Sequence, residues 1–251
     1  MTRLRAWPIV AAAVAAACSS PPTRGSPSLT VHGTELVLTT GDGRVLRSAQ
    51  LVGATLAIGA LAVRLDAVDR DPRARDEVLR HRFVVLERER EPSELCEPDP
   101  DGDRWAMPLL DDRGQVQLVC SSGAIAKCVR WGYRPWQARP GEPAMRPLHE
   151  ACVRMVRADY GGTGATATRD GTRIAFCDRS GVHRCPERAR LEAAWSPSGA
   201  TCVAAPRIAD LATLDQLAER YPRLIGHLGH EACTMASAAD DGHTLLFSLF
   251  P

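Results

Sequence analysis

Apolar and polar positions alternate with a period of two through much of residues 29 to 120, the pattern of strands with one buried face. Leu61, Val63 and Leu65 alternate with Ala62, Arg64 and Asp66. Thr30 to Leu38 carries Val31, Leu36, Val37 and Leu38, and Gly41-Asp42-Gly43 makes a turn before Arg44 to Arg47. Arg82 to Glu87 and Gln115 to Cys120 repeat the theme. The apolar stretch Leu51 to Val63 falls short of the roughly 20 residues of a membrane span and contains Gly53, Thr55 and Gly59, so it predicts two strands and a turn. Residues 29–120 are therefore expected to form a small antiparallel, β-rich module.

After residue 121 the texture changes. Pro147 opens a helical segment in which Leu148, Cys152 and Met155 recur at spacings of four and three, turning that cysteine inward. A second helix starts at Thr213, where Thr213-Leu214-Asp215-Gln216 fits a capping box; Leu214, Leu217, Ala218 and Tyr221 form its apolar stripe and Pro222 stops it. Between the helices, Thr172 to Asp178, Ala193 to Trp195 and Thr201 to Ala204 predict short strands joined by turns at Arg169-Asp170-Gly171 and Ser196-Pro197-Ser198-Gly199. The fold class expected is α+β, with the β-rich module followed by a disulfide-stapled α+β module over residues 121–251.

The N-terminus has a different character. A short positive segment, Met1 to Arg5, precedes a mostly alanine run of 12 residues from Ala6 to Ala17, and then Cys18. That is the layout of a signal peptide, here residues 1–17. Small residues before a cysteine resemble a lipobox, with Ala15 where leucine is more usual, so Cys18 is expected to carry a lipid. An ordinary A-x-A cleavage site releasing a soluble chain is the alternative. Cysteine parity favours the lipid: of nine cysteines, setting Cys18 aside leaves an even set, Cys96, Cys120, Cys128, Cys152, Cys177, Cys185, Cys202 and Cys233. Residues 18–28 are rich in Pro, Ser and Gly and read as a flexible tether. Ser19 stands where an Asp marks inner-membrane retention in some bacteria, which points to the outer membrane.

The eight downstream cysteines contain no C-x-x-C pair, which argues against a zinc site or a thioredoxin-like centre and for disulfides in an oxidising compartment. On the order of a hundred pairings are open to them. Removing residues 1–17 takes away Arg3 and Arg5 and leaves 29 basic against 30 acidic residues, a balance that gives nucleic acid no basic surface. The single lysine, Lys127, among many arginines reads as codon preference.

A family resemblance enters with four spaced motifs: Arg130-Trp131-Gly132-Tyr133-Arg134-Pro135-Trp136, the run HEACVRMVRADY from His149 to Tyr160, TRDGTRI from Thr168 to Ile174, and EAAWSPSGATCV from Glu192 to Val203. Together they resemble the ADYC-domain proteins, secreted or lipid-anchored bacterial proteins, over about residues 120 to 251. The resemblance implies a fold and an address rather than an activity. The family motif ends in cysteine, whereas this chain has Asp159-Tyr160-Gly161. Cys177 stands where the family pattern has another residue, and is expected to take over the orphaned partner, Cys185, across the turn from Asp178 to Gly181.

Candidate chemistry is sparse. His149, Glu150, Asp159, Asp170 and Asp178 offer acid and base groups, and a hydrolase would need His149 or His183 to share one cleft with Asp159 or Asp178. Asp99, Asp101 and Asp103 alternate as in a calcium loop, but the twelfth position from Asp99 is Leu110 rather than a bidentate Glu, so a solvated acidic loop is expected. His227-Leu228-Gly229-His230-Glu231 lacks the H-E-x-x-H order and predicts surface histidines. The HEAC letters at His149 and His230 do not make a repeat. Gly161-Gly162-Thr163-Gly164 lacks the lysine of a phosphate loop and predicts a mobile loop. Trp131, Tyr133 and Trp136 could stack on sugars, but in a chain with 5% aromatics they are expected in the core or between modules. No catalytic residue, metal or cofactor is expected. The function expected is a noncatalytic module of the cell envelope, bound to a membrane through its lipid and to an envelope protein or surface polymer; an extracytoplasmic hydrolase is the alternative.

Overall fold

The structure is a computed structural model that describes residues 25–75, 77–87, 90–99, 101–138 and 145–250. The predicted signal peptide, Cys18 and most of the tether lie outside the described residues.

Two antiparallel sheets build the first half. One has the order β1-β2-β3, from strands Ser28–His32, Glu35–Thr39 and Val45–Arg47. The other runs β4-β5-β6-β8-β9, from Thr55–Ile58, Leu61–Arg70, Leu79–Val85, Ala106–Leu110 and Val116–Cys120, with β7 (Ser93–Glu94) added to β6. Their inner faces share one core: Val31 and Leu36 pack with Leu56, Val63, Leu65 and Phe83. The single strand expected over Thr30 to Leu38 is instead a hairpin. Gly33 takes φ +67°, so the chain turns between His32 and Glu35 where a side-chain-bearing residue would be strained.

The second half has a sheet of order β10-β13-β11-β12, from Ala175–Asp178, Leu246–Phe250, Arg190–Ser196 and Gly199–Val203. Helix α1 (Ala124–Arg130) leads into α2 (Met145–Arg157), which lies across β11, β12 and β13. Pro147 falls in the first turn of α2, where its missing N–H costs no bond, so the helix starts before it rather than at it. Leu148, Cys152 and Met155 face the sheet, packing with Trp195 and Leu246. The opposite face of the sheet is covered by α4 (Met235–Asp240), whose Ala238 meets Ala194, Phe247 and Leu249. Helix α3 (Leu214–Arg220) has the capping box read from the sequence: the Thr213 hydroxyl accepts from Gln216 N–H at 3.2 Å, and Gln216 Oε1 accepts from Thr213 N–H at 3.0 Å.

A smaller core joins the halves, with Val78, Met107 and Leu109 packed on Ala126 and Val129 of α1. Beside it the Arg130 guanidinium pairs with Asp71, both nearly closed to solvent, and donates to Ser121 O at 2.8 Å. The eight cysteines pair in sequence order: Cys96–Cys120, Cys128–Cys152, Cys177–Cys185 and Cys202–Cys233. The first bridge lies in the β-rich half and the other three in the α+β half. Each restricts the unfolded chain, contributing about 2 to 4 kcal/mol. Four disulfides belong to an oxidising, extracytoplasmic compartment. Among the described residues no helix is long and apolar enough to cross a membrane.

Candidate functional site

The end of α2 is hydrogen-bonded to the loop after it, to the sheet and to Arg207. Ala158 takes φ +49°, which breaks the helix and turns Asp159 and Tyr160 inward. The Asp159 carboxylate accepts from Thr163 N–H at 3.1 Å, Gly164 N–H at 2.8 Å and Arg154 Nη1 at 2.6 Å. The glycine-rich segment expected to be mobile is therefore tied to a buried carboxylate. It is also pressed against a neighbour: a Cβ on Gly162 would lie 2.0 Å from Ser198 O.

Tyr160 continues the knot. Its ring stacks on Trp195 with centroids 5.3 Å apart, and its hydroxyl accepts from Arg207 N–H at 2.8 Å while donating toward Glu192 Oε1 at 3.4 Å. Arg207 pairs with Glu192 at 3.0 Å and donates to Met155 O and Val156 O, capping the last carbonyls of α2. Burial, then the Glu192 charge, raises the Tyr160 pKa; burial also raises that of Glu192. The Tyr160 carbonyl accepts from Ala200 N–H at 3.0 Å and Arg223 Nη2 at 2.8 Å. Asp159 and Tyr160 thus fasten helix, loop and sheet together.

The other acid and base candidates occupy separate environments. Asp178 accepts from Tyr133 Oη (2.8 Å), Ser180 Oγ (2.5 Å), Val182 N–H (3.1 Å) and His183 N–H (2.6 Å). It meets the backbone of His183, while the His183 imidazole Nε2 lies 2.6 Å from Trp131 O. Burial, followed by the Asp178 charge, pushes the Tyr133 pKa up. His149 is 8% exposed, with Nε2 3.2 Å from Ile125 O, and burial lowers its pKa to about 4. It lines a cleft of about 520 Å³ with Glu150, Asp111 and Asp112, apart from Asp159 and Asp178. A histidine so reluctant to hold a proton is a weak base at neutral pH.

The remaining candidates fall as follows. The acidic loop is solvated at Asp101, as expected, but Asp99 is buried. Arg73, distant in sequence, pairs with Asp99 and Asp101, each at 3.0 Å, and lies 3.5 Å from Asp103. His227 and His230 are exposed in turns. Among the described residues no cluster of three His, Cys, Asp or Glu could hold a metal ion. Tyr133 is fully buried and Trp131 packs on Phe176 at 4.5 Å, but Trp136 is 39% exposed and covers Gly33. The Ser48 hydroxyl and His81 Nε2, 2.8 Å apart, form a pair that sequence reasoning missed; both residues are closed to solvent.

A larger cleft, about 630 Å³, opens between the end of β9, α1 and the 164–174 segment. Its wall is largely apolar, and it carries Lys127, Arg157 and Arg169 against one carboxylate, Asp170. Asp170 thus lies on a different cleft from His149. Lys127, read from the sequence as codon preference alone, is thus part of a cleft wall.

The ADYC domain matches residues 43–209, more than half of the chain. This protein belongs to the ADYC domain family. The match starts in the β-rich half and ends just past Arg207, so in this ADYC protein the domain spans both cores and the Asp71–Arg130 pair between them. At Gly161 the backbone runs close beside Tyr221, and a Cβ there would lie 2.1 Å from the Tyr221 ring. Cys185 is bonded to Cys177, the pairing expected across the turn from Asp178 to Gly181. No curated protein and no solved structure matches the chain.

Proposed function

We propose that this ADYC-domain protein is an exported, noncatalytic binding module of the bacterial cell envelope, fastened to a membrane by a lipid on Cys18. The signal-peptide layout, the even set of paired cysteines beyond Cys18 and the core-less tether support the anchor. Ser19 after the cysteine favours the outer membrane. The observation that carries the binding reading is the commitment of the acidic candidates to internal bonds. Both oxygens of Asp159 and of Asp178 accept hydrogen bonds from within the fold. A hydrolase built on His149 or His183 would need one of those carboxylates free beside an imidazole.

Two measurements test this reading. Mass spectrometry of the membrane-extracted protein is expected to find a diacylglyceryl group on Cys18 and no such group in Cys18→Ala; an unmodified wild-type N-terminus would end the lipoprotein reading. Affinity capture from the native envelope, run in parallel with Cys18→Ala, is expected to recover one envelope protein or surface polymer reproducibly. Turnover of a substrate that is abolished by His149→Ala in a normally folded protein would favour the hydrolase.

A further inference from the structure

The cleft beside α1 contains an imbalance. In a chain with 31 basic residues, lysine occurs once, and Lys127 lies on this cleft. Its ammonium makes no hydrogen bond or ion pair among the described residues. Arg157 spends its fork on Gly164 O at 3.0 Å and Thr166 Oγ1 at 3.4 Å, neither of which neutralises it. Arg169 reaches Asp210 at 3.7 Å with both side chains largely in water. The Thr168 Oγ1 in the same lining is buried and has no hydrogen-bond partner among the described residues. The surrounding wall is apolar, with Val119, Ile125, Trp131 and Ile174 contributing to it. Trp131 is held in place from both sides: its ring packs on Phe176 and its carbonyl lies against His183 Nε2.

Excess positive charge at a low-dielectric wall attracts an anion more strongly than the same charge in water. The apolar surface next to it rewards a ligand with a hydrocarbon or aromatic body. The cavity volume falls inside the roughly 300–1,000 Å³ of small-molecule sites. We infer that this cleft binds a small amphiphile with one anionic head and an apolar body. The head meets Lys127 and Arg157, the body lies along Trp131, Ile125 and Ile174, and Thr168 donates its hydroxyl proton to the head. This inference rests on the binding-module reading and names the ligand class of that module.

The test is isothermal titration of the full chain carrying Cys18→Ala, so that no acyl chain of its own competes. The probes, kept below their micelle concentrations, are dodecanoate, dodecyl phosphate, dodecanol and acetate. Dodecanoate or dodecyl phosphate is expected to bind about tenfold more tightly than dodecanol, the size of one charge-assisted contact, and acetate not measurably. The tighter of the two anions identifies the head as carboxylate or phosphate. Lys127→Gln, which keeps helix propensity, is expected to weaken the anion several-fold and leave dodecanol unchanged. Thr168→Val is expected to weaken the anion without lowering the melting temperature. Equal affinity for dodecanol and the anions, or anion binding untouched by Lys127→Gln, overturns the proposal. Failure of all four probes overturns the ligand class while the Cys18 anchor stands or falls on its own mass spectrum.

Discussion

Two of the seven histidines are buried neutral, and acidification should find them. Burial lowers the pKa of His81 from 6.5 to about 3 and that of His149 to about 4. The folded protein refuses a proton that the unfolded chain takes up below pH 6.5, so between that pH and about 4 the unfolded state binds more protons. Stability contributed by the two rings is therefore present at neutral pH and lost as pH falls. Between pH 7 and pH 5 each costs about 2 kcal/mol, about 4 kcal/mol together, a large part of a typical domain's stability. Glu192 acts in the opposite sense, since burial raises its pKa and the folded state gains a proton there first. The comparison must therefore be between chains. Urea unfolding with the disulfides intact, at pH 7, 6 and 5, is expected to show the loss in the wild type. In His81→Gln/His149→Gln it is expected to shrink to below about 1 kcal/mol, since an amide keeps hydrogen-bonding capacity and does not titrate. An unchanged loss in the double variant would refute burial of these rings as its cause.

Gly161→Cys is expected to destabilise by about 1 to 3 kcal/mol, because its Cβ must displace the Tyr221 ring. Adding Tyr221→Ala should recover more than half of that in thermal melts. Asp71→Ala leaves Arg130 buried without its carboxylate and is expected to cost about 3 to 5 kcal/mol in urea unfolding, the loss spreading across both halves in hydrogen exchange.

The elements legible from the sequence were those whose signal is local. The capping box at Thr213 lies within four residues, and the alternation of β5 reports one buried face against one wetter face. Strand β13 escaped because the α2 side of its sheet buries Leu246 and the α4 side buries Phe247 and Leu249, which erases the alternation. Helix α1 is two turns long, too short for a periodic stripe to stand out. Site chemistry was less legible still. Asp99 to Asp103 look like a free acidic loop until Arg73 arrives from a remote turn, and Asp178 looks like a general base until four donors close around it. The family resemblance pointed to Asp159 and Tyr160, but only contacts made across the fold explain them: Glu192 and Arg207 lie well downstream.

Asp159 and Tyr160 fasten helix, loop and sheet into one scaffold. The most direct measurement is the unfolding free energy of Asp159→Ala at pH 7. Loss of a buried carboxylate that serves Arg154 and two backbone N–H groups is expected to cost about 3 kcal/mol, with the 159–167 amides losing hydrogen-exchange protection first. Stability within about 0.5 kcal/mol of the wild type, with protection of those amides intact, would contradict it.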